Sequence, residues 1–139
     1  MTEPSVKFVS CPTGAVTTQA TTNPPVLHQM GYWEWNATGN PAHPHVVVCV
    51  HGLSRQGRDF DVLARALSQH ARVVCPDVVG RGSSDWLPDP MGYQIPQYTS
   101  DMLYLLAQVH QQGPIQTLDW VGTSMGGLIG LGVLGTPGL

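Results

Sequence analysis

Three short apolar runs punctuate the middle and end of this chain. They are Val46-Val47-Val48-Cys49-Val50, Arg72-Val73-Val74-Cys75 and Thr117-Leu118-Asp119-Trp120-Val121. The first two are continuous and β-branched, as strands become when both faces are covered by helices. Between them the period changes. Phe60, Leu63, Ala64 and Leu67 recur at helical spacing and predict a helix within residues 58–70. Tyr98, Met102, Leu105, Leu106 and Val109 predict a second helix, opened by Pro96 in its first turn and stopped at Gly113-Pro114. After the last strand, small and apolar residues predict a third helix, broken at Gly135-Thr136-Pro137-Gly138.

Upstream, two short strands are expected. The second runs from Leu27 to Trp35, and the Thr/Pro-rich residues 11–25 read as the loop joining them. Residues 36–44 carry turn chemistry. Strand and helix then alternate three times, the signature of right-handed parallel crossovers, so the expected class is α/β with a mostly parallel sheet and flanking helices. Residues 1–26 read as an N-terminal strand and loop, and residues 27–139 as the body of the fold.

At 139 residues the length suits one domain with one sizeable core. Six Lys and Arg against nine Asp and Glu give a net charge of −3, which offers no basic patch to a nucleic acid or an anionic membrane. Only 11% of residues are charged, so much of the surface is expected to be covered. Residues 120–139 carry no charge at all, yet their seven glycines and Pro137 favour a buried helix preceded by a turn over a membrane span. Cys11, Cys49 and Cys75 cannot all pair. With no secretory signal visible at the start, they read as free thiols of a cytoplasmic protein.

The candidate chemistry lies where strands end. Gly122-Thr123-Ser124-Met125-Gly126 matches G-x-S-x-G between a strand and a helix. There a tight turn holds the serine in a strained backbone and exposes its Oγ, and glycines on both sides avoid collision. The start of that helix also turns N–H groups toward developing negative charge. His51-Gly52-Leu53 ends the earlier buried strand, and Gly52 lets the backbone turn so that the Leu53 N–H can partner that of Met125 around an oxyanion. His51 reads as shaping this loop, not as a base. Asp77, at the end of the second run, reads as a loop brace before a catalytic acid. Arg55, Arg58 and Arg81 could face a carboxylated substrate, or simply solvent. His43-x-His45 is too short a ligand list for a metal, and neither a P-loop nor G-x-G-x-x-G occurs, so no cofactor is expected.

Together, His51-Gly52 after a buried strand, Asp77 with Gly80-x-Gly82-x-Ser84 after the next, and the Gly122–Gly126 turn resemble the α/β-hydrolase superfamily, over about residues 27–135. The closest likeness is to its serine esterases and carbon–carbon bond hydrolases. The resemblance implies Ser124 as nucleophile, with Leu53 and Met125 supplying the oxyanion hole and His51, Gly52, Gly122 and Gly126 shaping it. It further implies a small-molecule ester or related carbonyl substrate. The family places its acid and histidine after the serine. Here fifteen residues follow Ser124, and none is Asp, Glu or His. The sequence therefore looks like the N-terminal part of such a hydrolase, ending after the elbow helix, with its acid, histidine and cap expected in a C-terminal half. Two other readings stand beside the esterase: a carbon–carbon bond hydrolase of the same fold, and a catalytically inactive fragment that serves as a binding or pairing module.

Overall fold

The computed structural model describes residues 3–14 and 26–138. Its strands are β1 (Ser5–Pro12), β2 (Leu27–Trp35), β3 (His45–Val50), β4 (Arg72–Pro76) and β5 (Thr117–Gly122). Its α-helices are α1 (Asp61–Leu67), α2 (Ile95–Gln112) and α3 (Met125–Leu134). The sheet order is β1-β2-β4-β3-β5, with β3 parallel to both β4 and β5, and β2 antiparallel to both β1 and β4. The parallel strands are therefore the three apolar runs, and the antiparallel pair is the N-terminal segment. This is the mostly parallel α/β sheet that the alternating pattern predicts.

The pleat divides the core in two. Val46, Val48, Val50 and Val74 pack with α2 and α3 through Met102, Leu105, Val109, Ile129 and Val133. Val47, Cys49, Val73 and Cys75 face the other way, onto Phe60, Ala64 and Trp35. Continuous β-branched runs result because both faces of β3 and β4 are dry. Every residue of the expected α2 stripe is buried.

Local differences have local causes. Cys11 and Pro12, expected in the loop, continue β1 opposite His28 and Leu27, Thr13 and Gly14 form a turn after them, and residues 15–25 of that loop lie outside the described residues. The first helix is shorter than its periodicity suggests. Gly57–Phe60 form a 3-10 turn, pinned where the Gly57 N–H donates to Asp77 Oδ1 at 2.7 Å, and α1 then ends at Leu67. Leu63, assigned to its apolar stripe, is 40% exposed.

The third helix departs most. It is not buried all round: Met125, Gly126, Ile129, Gly130 and Val133 face the sheet, while Leu128, Leu131 and Leu134 stand 57%, 67% and 69% exposed. Beside it, β5 has β3 as its only strand neighbour among the described residues, which leave its other edge open. Among the described residues no helix is long and apolar enough to cross a membrane.

Candidate active site

The ends of β3, β4 and β5 deliver His51-Gly52, Asp77 and Gly122-Thr123-Ser124 to one edge of the sheet, the edge where parallel α/β sheets carry their ligands. Ser124 sits between β5 and α3 with φ 52° and ψ −114°, and among the described residues it alone, apart from glycines, has a positive φ. Such a backbone costs about 1–3 kcal/mol and persists only where its surroundings fix it. Here the Thr123 N–H donates to Val50 O at 3.0 Å, and the Gly126 N–H closes the turn on Thr123 O at 2.9 Å. A side chain at Gly126 would run into the Val50 carbonyl, and one at Gly122 would meet the Gly126–Gly127 backbone. Both glycines of the motif are thus demanded by close approach. The strained turn leaves Ser124 exposed at the head of α3.

The His51-Gly52-Leu53 loop lies against this turn: a Cβ at Gly52 would stand 3.7 Å from the Ser124 Cβ. His51 is buried. Its Nδ1 bonds to Gly52 O at 2.7 Å, and its Nε2 accepts the Val78 N–H at 3.0 Å. An accepting Nε2 carries no proton, so Nδ1 carries it and the ring is neutral. Burial pushes the imidazole below its ordinary range, against the smaller opposing pull of the Gly52 hydrogen bond. With both nitrogens committed, His51 is unavailable as a base toward Ser124. In a trans peptide the C=O and N–H point in opposite directions. The His51 bond to Gly52 O therefore also sets the direction of the Leu53 N–H.

Asp77 is buried and saturated. Its Oδ1 accepts from Gly57 N at 2.7 Å, and its Oδ2 from Ser83 N at 2.9 Å and Ser83 Oγ at 2.7 Å. The carboxylate ties together the loops after β3 and β4, which is a brace. The three arginines part company. Arg55 pairs with Asp59 and Arg58 with Asp61, while Arg81 reaches the carbonyls of Leu53 and Val79 and the hydroxyl of Tyr98.

Among the described residues no histidine hydrogen-bonds Ser124. His45 bonds to Asp119 at 2.6 Å, at the opposite, N-terminal end of the parallel strands. His110 Nδ1 accepts the Ile115 N–H.

His28 holds a surprise for a reading based on spacing. Its Nε2 bonds to Asp101 Oδ2 at 2.9 Å, its Nδ1 to Thr13 Oγ1 at 2.8 Å, and Gln97 donates to the second Asp101 oxygen at 2.8 Å. Asp101 lies inside α2 and is fully buried. Donor atoms of Cys11, His28 and Asp101 lie within 4.8 Å of one another, the one group among the described residues able to converge on a metal ion. No such set was visible in the spacing of the sequence. Burial, then the charge of Asp101, push the Cys11 thiol up, so it stays protonated, and the hydrogen bonds join the group to itself. It works as a polar clasp between the β1–β2 pair and α2. Gln97 and Asp101, four apart on the buried side of α2, were its only trace in the sequence.

This sheet order, with a strained serine at the β5–α3 turn beside a His-Gly loop, is the architecture of the α/β hydrolases. A family profile described as the alpha/beta hydrolase fold matches residues 45–136, and the chain belongs to that family. It is 51% identical over 134 residues to the 3-hydroxybutyrate-oligomer hydrolase of Cupriavidus necator, covering 96% of this chain and 40% of that protein. It is 30% identical over 92 residues to a serine hydrolase-like protein of Danio rerio, covering 63% of this chain and 26% of that one. Among solved structures, an α/β hydrolase from Novosphingobium aromaticivorans superposes with a TM-score of 0.69 at 33% identity, over 94% of this chain and 39% of the other. The chain thus spans 40% or less of the length of these relatives.

Proposed function

We propose that this chain forms the nucleophile-bearing part of a serine hydrolase of carboxylic esters, and that its substrates are short oligoesters of 3-hydroxybutyrate. The observation that carries the reading is the strained backbone of Ser124, held open at the end of β5 against the Gly52 loop. Strain of this kind at an exposed serine supports a nucleophile. The substrate class rests on the 51% identity to an oligomer hydrolase.

In this mechanism Ser124 Oγ attacks the ester carbonyl carbon, and a histidine supported by an acid takes its proton. Both partners come from sequence outside these 139 residues. The Leu53 and Met125 N–H groups receive the tetrahedral oxyanion, where each preorganised donor contributes roughly 10²–10³ in rate. His51 and Arg55 contribute at one remove: Gly52 O accepts from His51 Nδ1 and from the Arg55 N–H at 3.2 Å, so the Gly52–Leu53 peptide plane does not rotate when charge develops. The alcohol leaves with a proton, and water then releases the acyl group from the serine. Protein groups and water supply every step. The three free, buried thiols accord with a reducing, cytoplasmic location.

The test is a fluorophosphonate probe on the protein as its cells make it, followed by peptide mass mapping. An adduct on Ser124 is expected, and hydrolysis of a 3-hydroxybutyrate dimer should fall at least ~10³-fold in a folded Ser124→Ala variant. A folded protein that takes no label and loses no activity on that substitution would overturn the reading.

A further inference from the structure

Resting on the ester-hydrolase reading, we infer that Arg81 anchors the free carboxylate of the oligoester and thereby selects the ester bond nearest the carboxyl end. Arg81 borders a cleft of about 280 Å³ lined by Ser54, Arg55, Gln56, Asp59, Arg81 and Gly82, directly beyond the oxyanion loop. That size sits at the small end of ligand cavities and suits a short acid group.

Charge accounting singles out one of the arginines near this edge. Arg55 is neutralised by Asp59 at 2.6 Å, and Arg58 by Asp61 at 2.7 Å while also lying over the Trp33 ring. Among the described residues Arg81 has no carboxylate partner. Its Nε donates to Leu53 O at 3.0 Å, its Nη1 to Val79 O at 2.8 Å and to the Tyr98 hydroxyl at 3.3 Å, and its guanidinium lies 5.3 Å and 5.8 Å from the Tyr98 and Tyr93 ring centres. These neutral contacts hold the fork in place without cancelling its charge. A rigid, uncompensated guanidinium on a cleft is built for a carboxylate.

Its position defines which bond reacts. In the proposed mechanism the Leu53 N–H is an oxyanion donor; the carbonyl of the same residue is held by Arg81, so the cation stands one peptide unit beyond that donor. In an oligoester of 3-hydroxybutyrate, four bonds separate the last ester carbonyl carbon from the terminal carboxylate carbon. With that carboxylate on Arg81, the carbonyl facing Ser124 is the last one. Ser124 Oγ bonds to that carbon, and the bond from it to the 3-oxygen of the terminal unit breaks. That oxygen takes a proton, and free 3-hydroxybutyrate leaves.

The experiment compares three substrates in the natively encoded, full-length protein: the trimer, its carboxyl methyl ester and the trimer acetylated on its terminal hydroxyl. The free acid should exceed the methyl ester in kcat/KM by about tenfold or more, chiefly through KM, since a charged hydrogen bond is lost. The acetylated trimer should first release unacetylated monomer. Arg81→Gln should bring the free acid down to the methyl ester, and Arg81→Lys should restore part of the preference. Equal rates on acid and methyl ester in the unaltered protein would overturn the inference. So would an Arg81→Gln variant that loses both in the same proportion, which is the signature of a residue that only supports Leu53. If none of the oligomers is hydrolysed, the ester-hydrolase reading falls, and titration with 3-hydroxybutyrate decides the site. A saturable shift of an arginine Nε–H NMR signal, absent in Arg81→Gln, supports it, and no saturable shift overturns it.

Discussion

His51 shows how much one residue of this fold carries. It joins the end of β3 to the loop after β4 through Val78 N, and it fixes the Gly52 carbonyl, all as a neutral ring in a dry setting. Because burial depresses its folded-state pKa below the ordinary 6.5, the unfolded chain binds the proton more tightly. The associated stability is complete above about pH 6.5 and is lost as pH falls from there through the depressed pKa. Urea unfolding at pH 7.5 and at pH 5.5 should show the loss, and His51→Gln should lower stability at the higher pH while flattening the difference. An unchanged slope with pH in that variant would assign the acid sensitivity elsewhere. Arg72 is a second residue whose place its neighbours in sequence do not explain. Fully buried on β4, it donates to the carbonyls of His43, Val109 and Gly113, which ties the C-terminal end of α2 to the sheet. Burial pulls its guanidinium below the usual range, and the carbonyls at the negative end of a helix keep the charge tolerable.

The unit that matters most to the site is the strand–turn–helix formed by β5 and α3. Trp120 on β5 donates to Gly126 O at 3.1 Å, and its indole fills the space that a side chain at Gly130 would need. The helix is thereby clamped to the strand that precedes it, and the two ends of the Ser124 turn cannot separate to relieve its strain. Gly126→Ala should be severe, because the colliding atom is the Val50 backbone. We expect a loss of at least ~2 kcal/mol in chemical denaturation, with loss of serine labelling in whatever remains folded. Trp120→Phe removes the hydrogen bond and retains most of the packing, so a loss of about 1 kcal/mol is expected. If Gly126→Ala proved as mild as Trp120→Phe, the tight contact would not be what holds the turn. At the far edge of the sheet, the His28–Asp101 clasp plays the matching part, fastening the β1–β2 pair to α2.

At the scale of the molecule, the sheet ends in β1 on one flank and in β5 on the other. Among the described residues β5 pairs with β3 alone, and its other edge lies next to the exposed leucines 128, 131 and 134 of α3. Open edges and contiguous apolar surface promote association. The 139-residue chain, prepared by itself, is expected to bind a hydrophobic dye and to self-associate in sedimentation. Replacing Leu128, Leu131 and Leu134 together by Gln should reduce both. On the proposed mechanism the same preparation should show little ester turnover, since no histidine bonds Ser124 among the described residues and an oxyanion hole without its triad supports only residual catalysis. A dye-free monomer with full hydrolase activity would contradict both expectations.

Much of this architecture is written in short-range pattern. The β-branched runs, the α2 stripe and the two glycines around Ser124 each record a local demand: a dry face, a helical period or a backbone approach. Those demands made the parallel sheet, the elbow and the family resemblance legible. The length of α1 was not, because it is set by Gly57 bonding to Asp77, twenty positions away. Nor could spacing separate Arg81 from Arg55 and Arg58, since an acid stands three or four positions from each of the three, and only the fold leaves Arg81 without one among the described residues. The pairing of His28 with Asp101 spans 73 positions and exists because β2 and α2 meet across the sheet. The sequence by itself determined which segments fold and where the strained serine turn lies, because periodicity and glycine placement act within a few residues. The tertiary structure alone decided which histidines are committed, which acid braces and which cation is free, because charge and hydrogen bonding are settled among neighbours that only topology brings together.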